Sequence, residues 1–323
     1  MQRNIALDIT KGIGILLVII GHCVSIPYMP IRHLIFTFHM PLFFLASGYL
    51  YRGKSPKEAL IKDFYHLGLP YVITCLAIVL YYFLYYLITK SHNSEPLRRY
   101  LIASLWGSGT THSCRYLSDL PVIGAIWFLP ALLICKNVYN VLPRNNSRLV
   151  YSSAIFVVAT IIGRYLIFLP FSALSGLSGI VFYSIGDSFK KVKSIHPLFW
   201  IIGVFCWYLS FKYSRVYLVQ PRMDLYFIDV IGGTTATVLV YLASRAISHT
   251  RLLMQSLSWI GKNSMSILCF HLIDLDCGIT NRMNIRGSIS MGILLSLLLP
   301  IIGSFFLTIV LTFFQLKRKQ TIS

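Results

Sequence analysis

Ten apolar runs, each long enough to cross a hydrocarbon core of roughly 30 Å, dominate this sequence. They fall near residues 9–27, 31–51, 67–89, 122–142, 149–168, 171–189, 197–213, 225–246, 256–274 and 288–315. Read as helices, they make the expected fold class all-α. The expectation is a polytopic membrane protein with about ten transmembrane helices, one integral-membrane unit over 1–323 and no soluble domain. The composition agrees: 56% of the residues are hydrophobic and 12% are charged, and the mean hydropathy is +0.70, far above the balance of a soluble domain. Pro170, Pro197 and Pro300 fall where helices end or kink. Arg3 and Lys11 precede a short apolar run in the manner of a signal peptide. However, a second run follows at once and no small-residue cleavage site stands after His22, so the first run is read as a permanent helix.

The net charge of +19 does not point to nucleic acid, because the Lys and Arg are spread through short connectors rather than along one face or tail. Their bias favours both termini in the cytoplasm, and the expected location is the cytoplasmic (inner) membrane. Arg98, Arg99, Arg115, Arg215, Arg222, Arg282 and Arg286 then face outward, where an anionic acceptor or lipid head groups would meet them. The seven cysteines are odd in number and form no C-x-x-C pair, which indicates neither a disulfide framework nor a metal site. Walker A, G-x-S-x-G and H-E-x-x-H patterns are absent from the sequence, so any chemistry lies between helices.

Ionisable side chains are costly inside a bilayer and mark candidate sites there. Asp8, Lys11 and His22 share the first run, and the step from Lys11 to His22 is roughly three helical turns, or roughly 16 Å, along nearly one face. His39 lies a third of the way down the second run, and a short connector makes the two runs a hairpin holding both imidazoles at similar depth. Histidine suits proton transfer near neutrality; a buried histidine bonded to a backbone carbonyl is the competing reading. Lys11 suits a phosphate, or simply a basic helix end paired with Asp8. Ser47-Gly48-Tyr49 offers small residues for close packing or for a thin substrate. Trp127 belongs either to an interfacial belt or to a site. Gly261-Lys262-Asn263-Ser264 is expected to open the ninth helix, where free N–H groups attract anions. His271 and Asp274 follow in the same run.

In order along the chain stand Leu7-Asp8 with Lys11-Gly12 and His22, His39-Met40-Pro41-Leu42-Phe43-Phe44 with Ser47-Gly48-Tyr49, Leu69-Pro70-Tyr71, Trp127-Phe128-Leu129, and Gly261-Lys262-Asn263-Ser264 before His271. This series resembles the acyltransferase 3 family of integral-membrane O-acyltransferases, most closely its fucose 4-O-acetylase-like branch. The resemblance implies a ten-helix enzyme that moves an acetyl group from cytoplasmic acetyl-CoA to a sugar hydroxyl of a surface polysaccharide or lipid-linked glycan precursor. It implies His22 as general base, with His39 orienting it or stabilising the oxyanion. Lys11, Asp8, Lys62, Ser47, Gly48 and Lys262 are expected at the acetyl-CoA, and Trp127 and His271 at the acceptor, with no metal. The wider family commonly has Arg where this chain has Lys11, and Arg just before the proline of the third helix, where this chain has His66 and Leu67 with Lys62 the nearest basic residue. The rival classes are a transporter or flippase of a glycan intermediate with a histidine proton relay, and a non-catalytic assembly subunit. The matched broken helices and inverted repeats of transporters are not visible in the sequence, and oligomeric state leaves no signal in it.

Overall fold

Close backbone contacts hold the helices together, because lipid tails are as apolar as leucine and give helices no hydrophobic reason to associate. The computed structural model describes residues 3–23, 29–89, 94–109, 121–165, 169–192, 196–284 and 289–320. Among these the chain forms α1 (Ile5–His22), α2 (Met29–Phe36), α3 (His39–Tyr49), α4 (Pro56–Asp63), α5 (Leu69–Thr89), α6 (Glu95–Trp106), α7 (Phe128–Val141), α8 (Arg148–Tyr165), α9 (Ala173–Phe189), α10 (Pro197–Tyr213), α11 (Phe227–Ile247), α12 (Arg251–Lys262), α13 (Ser264–Cys277), α14 (Ile279–Met283) and α15 (Ile289–Gln320). The described residues contain no β-sheet, only one antiparallel bridge between Tyr217 and Arg222.

Local sequence sets several of these boundaries. The Asn4 side chain accepts the Leu7 N–H and starts α1, and Ser55 accepts the Glu58 N–H with Pro56 at the first position of α4. A single π-helical turn, Phe64–Gly68, joins α4 to α5.

Among the described residues, five helical stretches are long and apolar enough to cross a membrane: Ile5–His22, Pro56–Thr89, Gly124–Val141, Phe227–Ile247 and Ser290–Ile309. The expected count of about ten is therefore not reached on length and apolarity. Two of the expected spans are broken. The run 31–51 divides at Thr37–Phe38 into α2 and α3, and the run 256–274 divides at Asn263 into α12 and α13. Lys262 thus closes α12 instead of opening a helix, and Asn263 bonds the Trp259 carbonyl rather than capping α13.

Helix α1 lies at the centre, against α12, α11, α3 and α13. Its approach to α12 is set by two glycines. A Cβ on Gly261 would fall 1.7 Å from the Asp8 carbonyl oxygen, and one on Gly12 would fall 2.3 Å from that of Leu257. Helices α3 and α9 meet as closely, a Cβ on Gly48 falling 1.9 Å from the Tyr183 carbonyl oxygen. The outward faces of α5 and α10 carry exposed Ile73, Leu76, Ile88, Ile201 and Phe205, the surface expected towards acyl chains.

Gly48→Ala is expected to force α3 and α9 apart and cost about 2 kcal/mol or more of stability. A fall in melting temperature in detergent checks this; an unchanged melting temperature contradicts the packing.

Candidate functional site

A cavity of about 890 Å³ runs through the bundle, walled by α1, α3, the π-helical turn, the start of α7, the α12–α13 break and the loop between α10 and α11. Chain direction orders its contents. Lys11 sits early in α1, and Arg52 and Lys54 follow the end of α3. His22 ends α1, and His39 begins α3. The two helices therefore bring cations together at one end of the cavity and imidazoles at the other. Lys62, Lys136 and Lys262 also line it; among its described lining residues Asp63 is the one carboxylate, and it pairs with Lys136.

Asp8 does not line the cavity. Its two oxygens take Lys11 at 2.9 Å and Arg3 at 2.5 Å, so Asp8 orients Lys11 from behind. Ser47 faces the cavity, whereas Gly48 faces α9. Trp127 is 5% exposed and lines the cavity, so it is no interfacial anchor. A short 3₁₀ turn, Gly124–Trp127, delivers it, with Gly124 in the left-handed region at φ 71°.

At the imidazole end, His22 Nδ1 lies 2.8 Å from the Val18 carbonyl oxygen and His39 Nδ1 lies 3.0 Å from that of Ile35. A carbonyl only accepts, so each Nδ1 is assigned the proton and each Nε2 carries the lone pair. The ring centroids stand 6.5 Å apart, with Phe36 packed against both, at 5.7 Å from His22 and 4.8 Å from His39. Two neutral imidazoles in this state offer two acceptors. His39 in this tautomer has no proton at Nε2 for an oxyanion. His271 lies behind His22, ring centroids 6.1 Å apart. It is fully buried, and neither of its ring nitrogens has a partner among the described residues. Asp274, one turn further on, holds the Thr280 N–H at 2.8 Å and its hydroxyl at 2.7 Å.

The loop between α10 and α11 is the part of the site that sequence reasoning missed. Residues 214–226 fold back among the helices as a hairpin, and Val216, Tyr217, Leu218 and Val219 line the cavity. Non-helical backbone is tolerated inside such a bundle where protein or a cavity covers it. Buried Asp229 ties the hairpin at its base, accepting the Ser214 hydroxyl at 2.7 Å and the Leu225 N–H at 2.9 Å. The signal was Gln220-Pro221, a turn pair after the alternating Val216 and Leu218.

Several of the arginines expected to face outward have local partners. Arg98 pairs with Glu95, Arg222 pairs with Asp224, and Arg282 lies over the Tyr81 ring at 5.8 Å. Arg115 and Arg286 lie outside the described residues. No group of three or more His, Cys, Asp or Glu among the described residues has the arrangement of a metal site.

An all-helical, multi-pass membrane protein with an internal chamber between a cationic end and a histidine end is the class that this architecture defines. An acyltransferase domain family, acyltransferase 3, matches residues 4–314, and the chain belongs to it: it is a membrane O-acyltransferase. No curated protein and no solved structure matches the chain.

Burial raises the Asp224 carboxyl, but Arg222, the Arg215 N–H and Arg164 outweigh it and hold the carboxyl below its usual range. A carboxyl lowered in the folded state stabilises it above the ordinary carboxylate pKa, and that contribution is lost as pH falls through the folded value. Thermal stability should thus fall from about pH 6 to about pH 3 more steeply in the wild type than in Asp224→Asn; parallel profiles contradict the Asp224 contacts.

Proposed function

We propose that this acyltransferase moves an acetyl group from acetyl-CoA to a sugar hydroxyl of a surface polysaccharide or lipid-linked glycan precursor, with His22 as general base. The observation that carries this reading is a cavity that joins a cationic end to two imidazole lone pairs. The phosphates of acetyl-CoA suit Lys11, Lys62 and Lys262, where lysine acts as a point charge. The roughly 16 Å from Lys11 to His22 suits an extended pantetheine arm passing Ser47. The donor then enters from the cytoplasm across the inner membrane, both termini lie on that side, and the shorter and broken helices complete about ten crossings.

In this reading His22 Nε2 takes the proton of the acceptor hydroxyl as its oxygen attacks the acetyl carbonyl. The carbon–sulfur bond breaks, the acetyl group stays on the sugar oxygen, and the CoA thiolate leaves with the proton that His22 returns. Nδ1–H of His22 stays on the Val18 carbonyl throughout, which keeps Nε2 aimed at the cavity. His39 orients the acceptor by taking a second hydrogen bond at its own Nε2, in place of the expected oxyanion role. Trp127 and Tyr217 supply apolar faces for a sugar ring, with His271 supporting His22 from behind. A fucose-like sugar is the first acceptor to try.

His22→Ala should lower acetyl transfer at least about 100-fold while the purified protein stays monodisperse and still binds acetyl-CoA; transfer near the wild-type rate removes His22 from the chemistry. Lys11→Ala should weaken acetyl-CoA binding more than Lys11→Arg, measured by calorimetry, because either cation meets a phosphate. Equal affinities in the two variants return Lys11 to a topological role.

A further inference from the structure

We infer that Trp207 is a positioning residue for His39, acting through the Thr37 hydroxyl. The inference deepens the histidine reading above and rests on it. In an uninterrupted helix the Ile35 carbonyl would accept the backbone N–H of His39. Here the chain breaks at Thr37–Phe38, and that carbonyl accepts the Phe38 N–H at 3.2 Å and the His39 ring Nδ1–H at 3.0 Å. At the break that carbonyl thus serves both the Phe38 N–H and the ring, and the ring bond sets the His39 tautomer. Pro41 contributes, since it has no N–H to return to the Thr37 carbonyl.

The break is held from outside. Trp207 Nε1 donates to Thr37 Oγ1 at 2.9 Å, and Thr37 Oγ1 donates to the Leu34 carbonyl at 2.6 Å. Indole only donates and a carbonyl only accepts, so the direction of both bonds is fixed. Thr37 is 1% exposed, which removes water as a substitute partner. One turn away, His33 Nε2 meets the Phe211 carbonyl oxygen at 2.9 Å. His33 and Thr37 are four residues apart on one strand of the contact, and Trp207 and Phe211 are four apart on the other. Helix α10 therefore clamps the end of α2 at two successive turns. The Trp207 ring also packs edge-on against Phe38, ring centroids 5.9 Å apart. On the far side, a Cβ on Gly233 would reach within 3.1 Å of the Thr37 carbonyl oxygen, so α11 closes against the same break.

Trp207→Phe keeps an aromatic ring and deletes the donor. Two readouts in the full-length protein in nanodiscs test it: steady-state kinetics, and the ¹⁵N imidazole signal of His39, assigned by its loss in His39→Gln. The wild type should show the Nδ1–H tautomer of His39. Trp207→Phe should mix the two tautomers and lower kcat about tenfold with KM for acetyl-CoA unchanged, since misplacement affects the reacting geometry rather than the distant phosphates. Thr37→Val should reproduce this, Thr37→Ser should restore it, and Trp207→Phe with Thr37→Val should cost no more than either alone. A Trp207→Phe protein with the wild-type His39 signal and wild-type kcat overturns the inference. If His22→Ala and His39→Gln both keep full activity, the histidine reading itself fails, a result distinct from the one that overturns the role of Trp207.

Discussion

The hydrogen bond from His22 Nδ1 to the Val18 carbonyl is the interaction on which the rest of the site depends. An imidazole inside a helical bundle is costly unless its N–H is satisfied, and the carbonyl one turn back satisfies it within the same helix. That choice leaves the lone pair on Nε2, so the bond that makes the residue tolerable also leaves the nitrogen that the proposed base requires. His39 uses the same arrangement with Ile35, there across the break between α2 and α3. Satisfaction of backbone groups, rather than any carboxylate partner, thus prepares both histidines.

The chamber that these nitrogens face exists because the bundle is held tightly at one pair of faces and interrupted at others. Gly12 with Gly261, and Gly48 against Tyr183, bring backbones into contact and fix α1 and α3 on their outer sides. The interruptions at Thr37–Phe38, at Asn263 and at the hairpin 214–226 leave room on the inner side. A bundle of ten unbroken helices with the same composition would bury its polar groups with less space between them. The cations at one end of the chamber and the imidazoles at the other follow from α1 and α3 running in opposite senses.

Much of this was legible in the sequence, and the rest failed for physical reasons. Hydropathy gave an all-helical membrane protein, and the rarity of intramembrane histidine singled out His22 and His39, which the structure brings within 6.5 Å between ring centroids. Periodicity placed Lys11 on the His22 face, and both line one cavity. The breaks were not read from hydropathy, because an average over the runs 31–51 and 256–274 stays apolar across the few polar residues at each break, although Pro41 and Gly261-Lys262-Asn263 stand beside them. Gly48 carries the same small-residue signal for packing and for substrate access, and only the position of Tyr183 separates them. Asp8 reads alike as a ligand and as a partner of Lys11, and its two ion pairs assign it to the second. The hairpin escaped notice because its alternating Val216 and Leu218 sit between two much stronger helical signals.

The most direct test of the account is a structure of the full chain with a non-transferable acetyl-CoA analogue, in which a methylene group replaces the reacting sulfur. The account predicts the adenosine phosphates among Lys11, Lys62 and Lys262, the pantetheine arm along α1 past Ser47, and the acetyl carbonyl near His22. The space between that carbonyl and His22 Nε2 should admit one hydroxyl whose oxygen lies about 3.5 Å or less from the carbonyl carbon. An analogue bound outside the cavity, or with its acetyl group at the cationic end, contradicts it.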